Sequence, residues 1–417
     1  MKVIILSGEY ANRTTLLIFA DAFSKAYFSK ENTPFLYDMA QEGVVTYVEP
    51  LFAFRGMETT IFTGVWPSVH NVWTEFCLAQ ELRNREKDRL LQNVIRCINR
   101  LPTDEIRTKV RFFIERYLFR KYYKALNLIP ANATPFFESS QTRETAEAKA
   151  LGNVVTLFDV LRRLGIRFTI NEPWILGDRG VFNKARRKIN QDHEYGFWYL
   201  KFSVLDHMGH KFGPQPSAFK SELKKLDGYI EQTVTLLRRK RPNLRVLVLA
   251  DHGMSKVCQA VNILGALDHL QSQIFKDYVA FVDSTMIRFW FFTKESRCEI
   301  LDFLQQIKCG HVLTLGEKRL LKIPLDPKYG ETIFVVDEGY VIHPDFFHSK
   351  SVVNGMHGYA YPKTSEALPI LIMNKEMAET FQDKKQVKFT DISHLILSSI
   401  VPNPERASLG LPKYIGC

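Results

Sequence analysis

Three short apolar runs each lead into an aspartate: residues 14–20 (TTLLIFA) into Asp21, 199–205 (YLKFSVL) into Asp206, and 244–250 (LRVLVLA) into Asp251. Short runs that are continuous rather than alternating predict strands buried on both faces of a parallel sheet. Between them the period changes. Residues 219–237 place Phe219, Leu223, Leu226, Ile230, Val234 and Leu237 at helical spacing, with charges opposite. Residues 154–164 predict a second amphipathic helix, which Gly165 is placed to end before an apolar strand at 166–170. Alternating strand and helix predict an α/β fold with a mostly parallel central sheet flanked by helices. Ligands bind such sheets at the carboxyl ends of the strands, so the three aspartates are expected to converge on one site.

Two segments depart from this rhythm. Residues 80–130 predict a helical insertion that is strongly basic: from 83 to 124 there are 13 Lys/Arg against 5 Asp/Glu. Residues 260–350 mix expected strands (278–292) with a helix at 294–307 and predict a small α+β cap. The remainder of 1–417 reads as one large domain, and the length is ample for its core.

Composition changes the picture in a few places. The net charge of +11, most of it carried by the insertion, favours anionic partners. Phe112, Phe113, Tyr117, Phe119, Tyr122 and Tyr123 are interleaved with those charges. The plain expectation is a solvated hairpin whose aromatics pack on the core. The alternative is a surface that docks on anionic lipid and brings a lipid-linked phosphate to the site. A nucleic-acid groove is the least favoured, since no recognised nucleic-acid module accompanies it. Six cysteines stand far apart with no CxxC pair, which predicts neither a disulfide framework nor a structural zinc site. MKVIILSGEY has no signal-peptide pattern, and no apolar stretch approaches the roughly 20 residues that span a bilayer. The expected location is the cytoplasm, with peripheral membrane contact left open.

The candidate chemistry sits at the strand ends. Asp206-His207-Met208-Gly209-His210 sets a carboxylate and an imidazole four residues apart, a spacing that serves one metal ion if the loop turns into a helix. Asp251-His252-Gly253 can bind through both side chains if the backbone turns sharply, which glycine permits. His357 lies in Gly355-Met356-His357-Gly358. Each motif alone is weak. Together with Asp21 they supply three aspartates and three histidines, enough for two divalent ions about 4 Å apart. Mixed nitrogen and carboxylate ligation suits Zn2+ best, with Mn2+ or Fe as alternatives.

These motifs resemble the alkaline phosphatase superfamily, nearest to its type I phosphodiesterase/nucleotide pyrophosphatase branch. The resemblance runs from about residue 14 to 402. It rests on IFADAF around Asp21, TPFLYDMAQEGV at 33–44, Thr63-Gly64 with Pro67 and His70, and the segments DHMGHKFGP, ADHGM and GMHGY. It implies one metal held by Asp206, His210 and His357, and a second held by Asp21, Asp251 and His252. The implied activity is phosphodiesterase, nucleotide pyrophosphatase or phosphatase chemistry on a phosphorylated small molecule or lipid-linked substrate, through a Ser or Thr nucleophile. The family spacing, nine residues before Thr63, puts that nucleophile at Phe54, which cannot attack phosphorus. Thr59 and Thr60 are the nearest hydroxyls and stand as nucleophile candidates, and Arg55 as a phosphate clamp. Three readings stay open: a rearranged loop that uses Thr59 or Thr60, direct attack by water activated at the metals, and a silent binder of a phosphorylated ligand. A sulfatase is less favoured, because the CxPxR-type segment that yields formylglycine is absent.

Overall fold

The first apolar run forms the strand Thr15–Ala20, buried at every residue. The computed structural model describes residues 13–79, 136–173, 177–191, 194–347, 351–381 and 387–401, with scattered positions between 93 and 133. The expected basic insertion at 80–130 lies almost wholly outside the described residues.

Thr15–Ala20 lies near the middle of a six-stranded sheet. The strand order is Val44–Tyr47, Ile370–Met373, Arg245–Leu249, Thr15–Ala20, Phe197–Phe202 and Phe168–Asn171. Thr15–Ala20 pairs in parallel with Phe197–Phe202 on one side and with Arg245–Leu249 on the other, and Leu17 is opposite both Tyr199 and Leu247. Only Ile370–Met373 runs against its neighbours. The sheet is therefore mostly parallel, and its continuous apolar strands follow from burial on both sides.

Alternate residues feed two cores. Leu17, Phe19, Tyr199, Leu247 and Leu249 pack under the helices Gly56–Thr63, Leu157–Arg163 and Phe389–Ile400. Leu16, Ile18, Leu200, Val246 and Val248 pack under Pro34–Glu42, Gly177–Asn190 and Lys220–Lys240. The expected helix at 219–237 is thus the long Lys220–Lys240, which buries Leu223, Leu226, Ile230, Val234 and Leu237. The helix expected at 154–164 begins after Thr156, whose hydroxyl accepts from Asp159 N in a capping box.

One run behaves differently from its pattern. The strand in YLKFSVL stops at Phe202, and Val204–Phe212 is a helix. Asp206 therefore sits in the first turn of a helix rather than at a strand end.

A second, antiparallel sheet orders Tyr278–Val282, Met286–Phe291, Thr332–Val336 and Gly310–Val312, with the helix Lys294–Gln306 beside it. Its apolar core, including Phe281, Phe289, Trp290 and Phe334, is separate from the two that cover the main sheet. The described cysteines are free. No described helix is long and apolar enough to cross a membrane.

Candidate metal centre

Four elements bring the six expected ligands to one end of the main sheet. Asp21 follows Thr15–Ala20, and its backbone N–H donates to the Phe202 carbonyl at 2.9 Å. The next residue, Ala22, has φ 59°, so the chain turns away at once. The Asp251 carboxylate holds that turn by accepting from Ala22 N at 3.2 Å and from His252 N at 3.0 Å through the same oxygen, Oδ1. Asp206 and His210 lie one turn apart on the Val204–Phe212 helix. The Asp178 carboxylate receives the N–H groups of Ser203 and Val204 (2.9 and 3.2 Å), which gives the start of this helix the acceptor it needs. His357 follows the short strand Gly355–Met356.

Two glycines make the assembly possible. A Cβ on Gly253 would meet the Glu366 carbonyl oxygen at 1.9 Å, and one on Gly355 would meet the Gly209 carbonyl oxygen at 2.4 Å. The first close approach lets His252 fold back beside Asp251. The second seats the His357 segment on the helix that carries Asp206 and His210.

Ligand atoms of five of the six fall into two clusters whose members lie within 4.8 Å of one another: Asp206, His210 and His357, and Asp21, Asp206 and His252; Asp251, expected in the second, belongs to neither and stands beside it through His252. His210 Nε2 and His357 Nε2 stand 3.3 and 3.4 Å from Asp206 Oδ1. His252 Nε2 stands 3.4 Å from Asp21 Oδ1 and 3.4 Å from Asp251 Oδ2. The His252 and His357 rings are stacked at 3.7 Å, so the clusters are side by side. Asp206 belongs to both clusters, a sharing that the even three-and-three division implied by the sequence motifs does not contain.

The donor set fits divalent ions. His210 Nδ1 meets the Gly355 carbonyl at 3.0 Å, and His252 Nδ1 meets the Gly253 carbonyl at 2.8 Å. A carbonyl only accepts, so Nδ1 carries the proton in each ring and Nε2 presents a lone pair. Those lone pairs face carboxylate oxygens, and Asp206 Oδ1 is buried without a hydrogen bond. Such an arrangement calls for positive charge between the atoms. Without metal, protons supply it: burial lowers the His252 pKa, but Asp251, Asp21 and Asp206 outweigh burial and raise it. His210 is raised in the same way, chiefly by Asp206 against burial. Burial and the Asp251 and Asp206 charges push Asp21 well up.

The centre opens into a cavity of about 490 Å3. Arg55 lines it, with Nη2 3.0 Å from Glu144 Oε2; burial opposes its charge, but Glu75, Glu58 and Glu144 hold it. Phe54 and Met57 line the wall where the nucleophile is expected, and the Phe54 ring packs on the Gly358 backbone. Thr59 and Thr60 are not brought to the cavity. Both are fully buried: Thr59 Oγ1 donates to Gln141 Oε1 at 3.2 Å, and Thr60 Oγ1 is 3.0 Å from His70 Nε2. The reason is helical phase. Both lie on the side of Gly56–Thr63 that faces away from the metal centre.

Sequence reasoning missed several lining residues. Lys201 pairs with Glu58 and lies 3.9 Å from Asp21 Oδ2. A single lysine inside the apolar strand FWYLKF was the available signal. Glu75, and Asp283, Ser284 and Thr285 in a turn of the second sheet, also line the cavity. Their segments carry no spacing that would have picked them out.

A family model described as type I phosphodiesterase/nucleotide pyrophosphatase matches residues 15–360. The chain belongs to this family. No curated protein matches it. Among solved structures, an inactive variant of murine ectonucleotide pyrophosphatase/phosphodiesterase 5 in complex with AMP is similar with a TM-score of 0.64 and 16% identity. The match covers 93% of this chain and 95% of that one. The human ectonucleotide pyrophosphatase/phosphodiesterase 5 is similar with a TM-score of 0.63 and 14% identity over the same shares. At these identities the likeness establishes the fold, an alkaline-phosphatase-superfamily architecture. The family is one of phosphodiesterase/pyrophosphatase-type hydrolases that typically depend on divalent metal, and this chain has candidate groups of metal ligands.

Proposed function

We propose that this protein is a divalent-metal-dependent phosphoester hydrolase of the phosphodiesterase/pyrophosphatase type, with Asp21, Asp206, His210, Asp251, His252 and His357 as its metal ligands. The observation that carries this reading is the pair of clusters in which imidazole lone pairs face carboxylate oxygens. Zinc suits that donor set best. Bound ions would neutralise phosphoryl oxygens and activate the attacking oxygen. Lys201 and Arg55 add positive charge on the cavity wall, suited to a phosphoryl group. Since a neighbour of the same fold is complexed with AMP, a nucleotide-type phosphoester is the first substrate class to test.

Phe54 and Met57 favour a second reading, a binder of a phosphorylated ligand without turnover, because neither can attack phosphorus. One set of measurements separates the two. Metal content is measured on the purified protein, with hydrolysis of p-nitrophenyl phosphate, bis-p-nitrophenyl phosphate and dinucleotide pyrophosphates. We expect bound metal and diester turnover, both lost in Asp206→Ala. Bound metal with AMP binding but no turnover of any ester supports the silent binder. No metal after zinc or manganese supplementation removes both readings.

A further inference from the structure

The missing hydroxyl at residue 54 raises the question of which oxygen attacks. A covalent route needs a hydroxyl on the cavity wall. Among the described residues lining that wall, the hydroxyls are those of Ser284 and Thr285. Both lie in the turn between Tyr278–Val282 and Met286–Phe291, so the second sheet delivers them. They differ in where the hydroxyl proton rests. Thr285 Oγ1 donates to the Gly358 carbonyl at 2.6 Å, and an amide carbonyl is no base at neutral pH. Ser284 Oγ donates to Asp345 Oδ2 at 2.7 Å, within a buried pair. A hydroxyl bonded to a positioned carboxylate is the arrangement that activates a serine. Asp345 is itself held, since its Oδ1 accepts from Phe347 N at 2.6 Å.

The turn is also close to the metal centre. Thr285 bonds the residue that follows His357, and the Asp345 charge is among those acting on His210. We propose that Ser284 is the nucleophile of this site and Asp345 its general base, a hydroxyl brought by the second sheet in place of one at the start of the Gly56–Thr63 helix. This rests on the hydrolase reading above.

Ser284 Oγ bonds to phosphorus and its proton passes to Asp345. The bond from phosphorus to the leaving oxygen breaks, and that oxygen keeps the electron pair. Asp283, which lines the same cavity next to Ser284 and whose Oδ2 lies 3.4 Å from Arg288 Nε, supplies the proton: burial pushes its pKa up to about 7, with Arg288 pulling down and Asp345 pushing up. Water then bonds to phosphorus, the bond to Ser284 Oγ breaks, Asp345 returns the proton to Oγ, and the Asp283 carboxylate takes the proton from water.

The test uses the metal-loaded full chain. Bis-p-nitrophenyl phosphate is mixed, acid-quenched and peptide-mapped, and a p-nitrophenylphosphoryl group is expected on Ser284. Ser284→Ala should lower kcat at least about a hundredfold. Ser284→Cys keeps the side-chain shape with a slightly larger atom and guards against misfolding; it should lose turnover similarly, with metal content and thermal midpoint retained. Asp345→Asn should lower kcat with little change in KM. A metal-loaded Ser284→Ala within threefold of the parent rate, or an adduct on another residue, would overturn the assignment while leaving the hydrolase reading intact. A parent protein that binds metal and cleaves none of the esters removes the hydrolase reading itself, and this assignment with it.

Discussion

Burial and hydrogen bonding, residue by residue, decide which side chains in this chain carry charge. His70 belongs to the segment that resembles a family motif, yet its environment is structural. Its Nδ1 accepts from Val72 N at 3.2 Å, so Nε2 carries the proton and donates to Thr60 Oγ1 at 3.0 Å. Burial lowers its pKa to about 3. Between that value and an unfolded pKa of about 6.5, the unfolded chain binds a proton that the folded chain refuses. Its contribution to stability is therefore present above about pH 6.5 and is lost as pH falls. From pH 7 to pH 5 the loss is about 2 kcal/mol. Thermal melts of His70→Gln at the two pH values should show a smaller acid-induced drop than the parent. Equal drops would mean that His70 is not the neutral, buried group described. The same reasoning bears on Thr60, whose oxygen is engaged by His70 and turned from the cavity, something a residue count cannot reveal.

Close approaches between elements set the geometry of the site. Gly253 lies against the Glu366 carbonyl, and a Cβ there has only backbone to push. Gly253→Ala should destabilise the fold by about 1–3 kcal/mol, as overpacking against a rigid neighbour does, and should weaken metal binding because His252 is displaced. Denaturant unfolding and calorimetric zinc titration check the two effects, and a variant unchanged in both would refute the contact. Legibility also varied by element. Lys220–Lys240 was readable because an amphipathic stripe over that length admits one interpretation. YLKFSVL was not, because a continuous apolar run carries no period. Leu205 is buried from the first turn of a helix just as a strand residue would be.

For the whole molecule, three aspartates held together at the end of one sheet weigh against folding unless cations join them. Asp21, Asp206 and Asp251 come from three separate elements, so on the proposed function a metal would bind the folded chain far better than the unfolded one. Chelation should lower the thermal midpoint, and zinc at a hundred times its dissociation constant should restore about 2.7 kcal/mol. A midpoint indifferent to chelator and to added zinc would contradict a metal centre.

The sequence by itself determined the strand-and-helix alternation and the mostly parallel sheet, and it singled out the five residues that the fold gathers into the two clusters, with Asp251 beside them. Each depends on local spacing: apolar runs of strand length, an Asp and a His four apart, a histidine between glycines. Only the tertiary structure decided that Asp206 joins both clusters, that Lys201 stands beside Asp21, and that Thr59 and Thr60 face the core. It alone placed Ser284 and Asp345 near the centre, because that proximity joins two sheets whose residues share no period in the chain. Spacing along a backbone governs what a single element presents; what meets across a cavity depends on how separate elements pack.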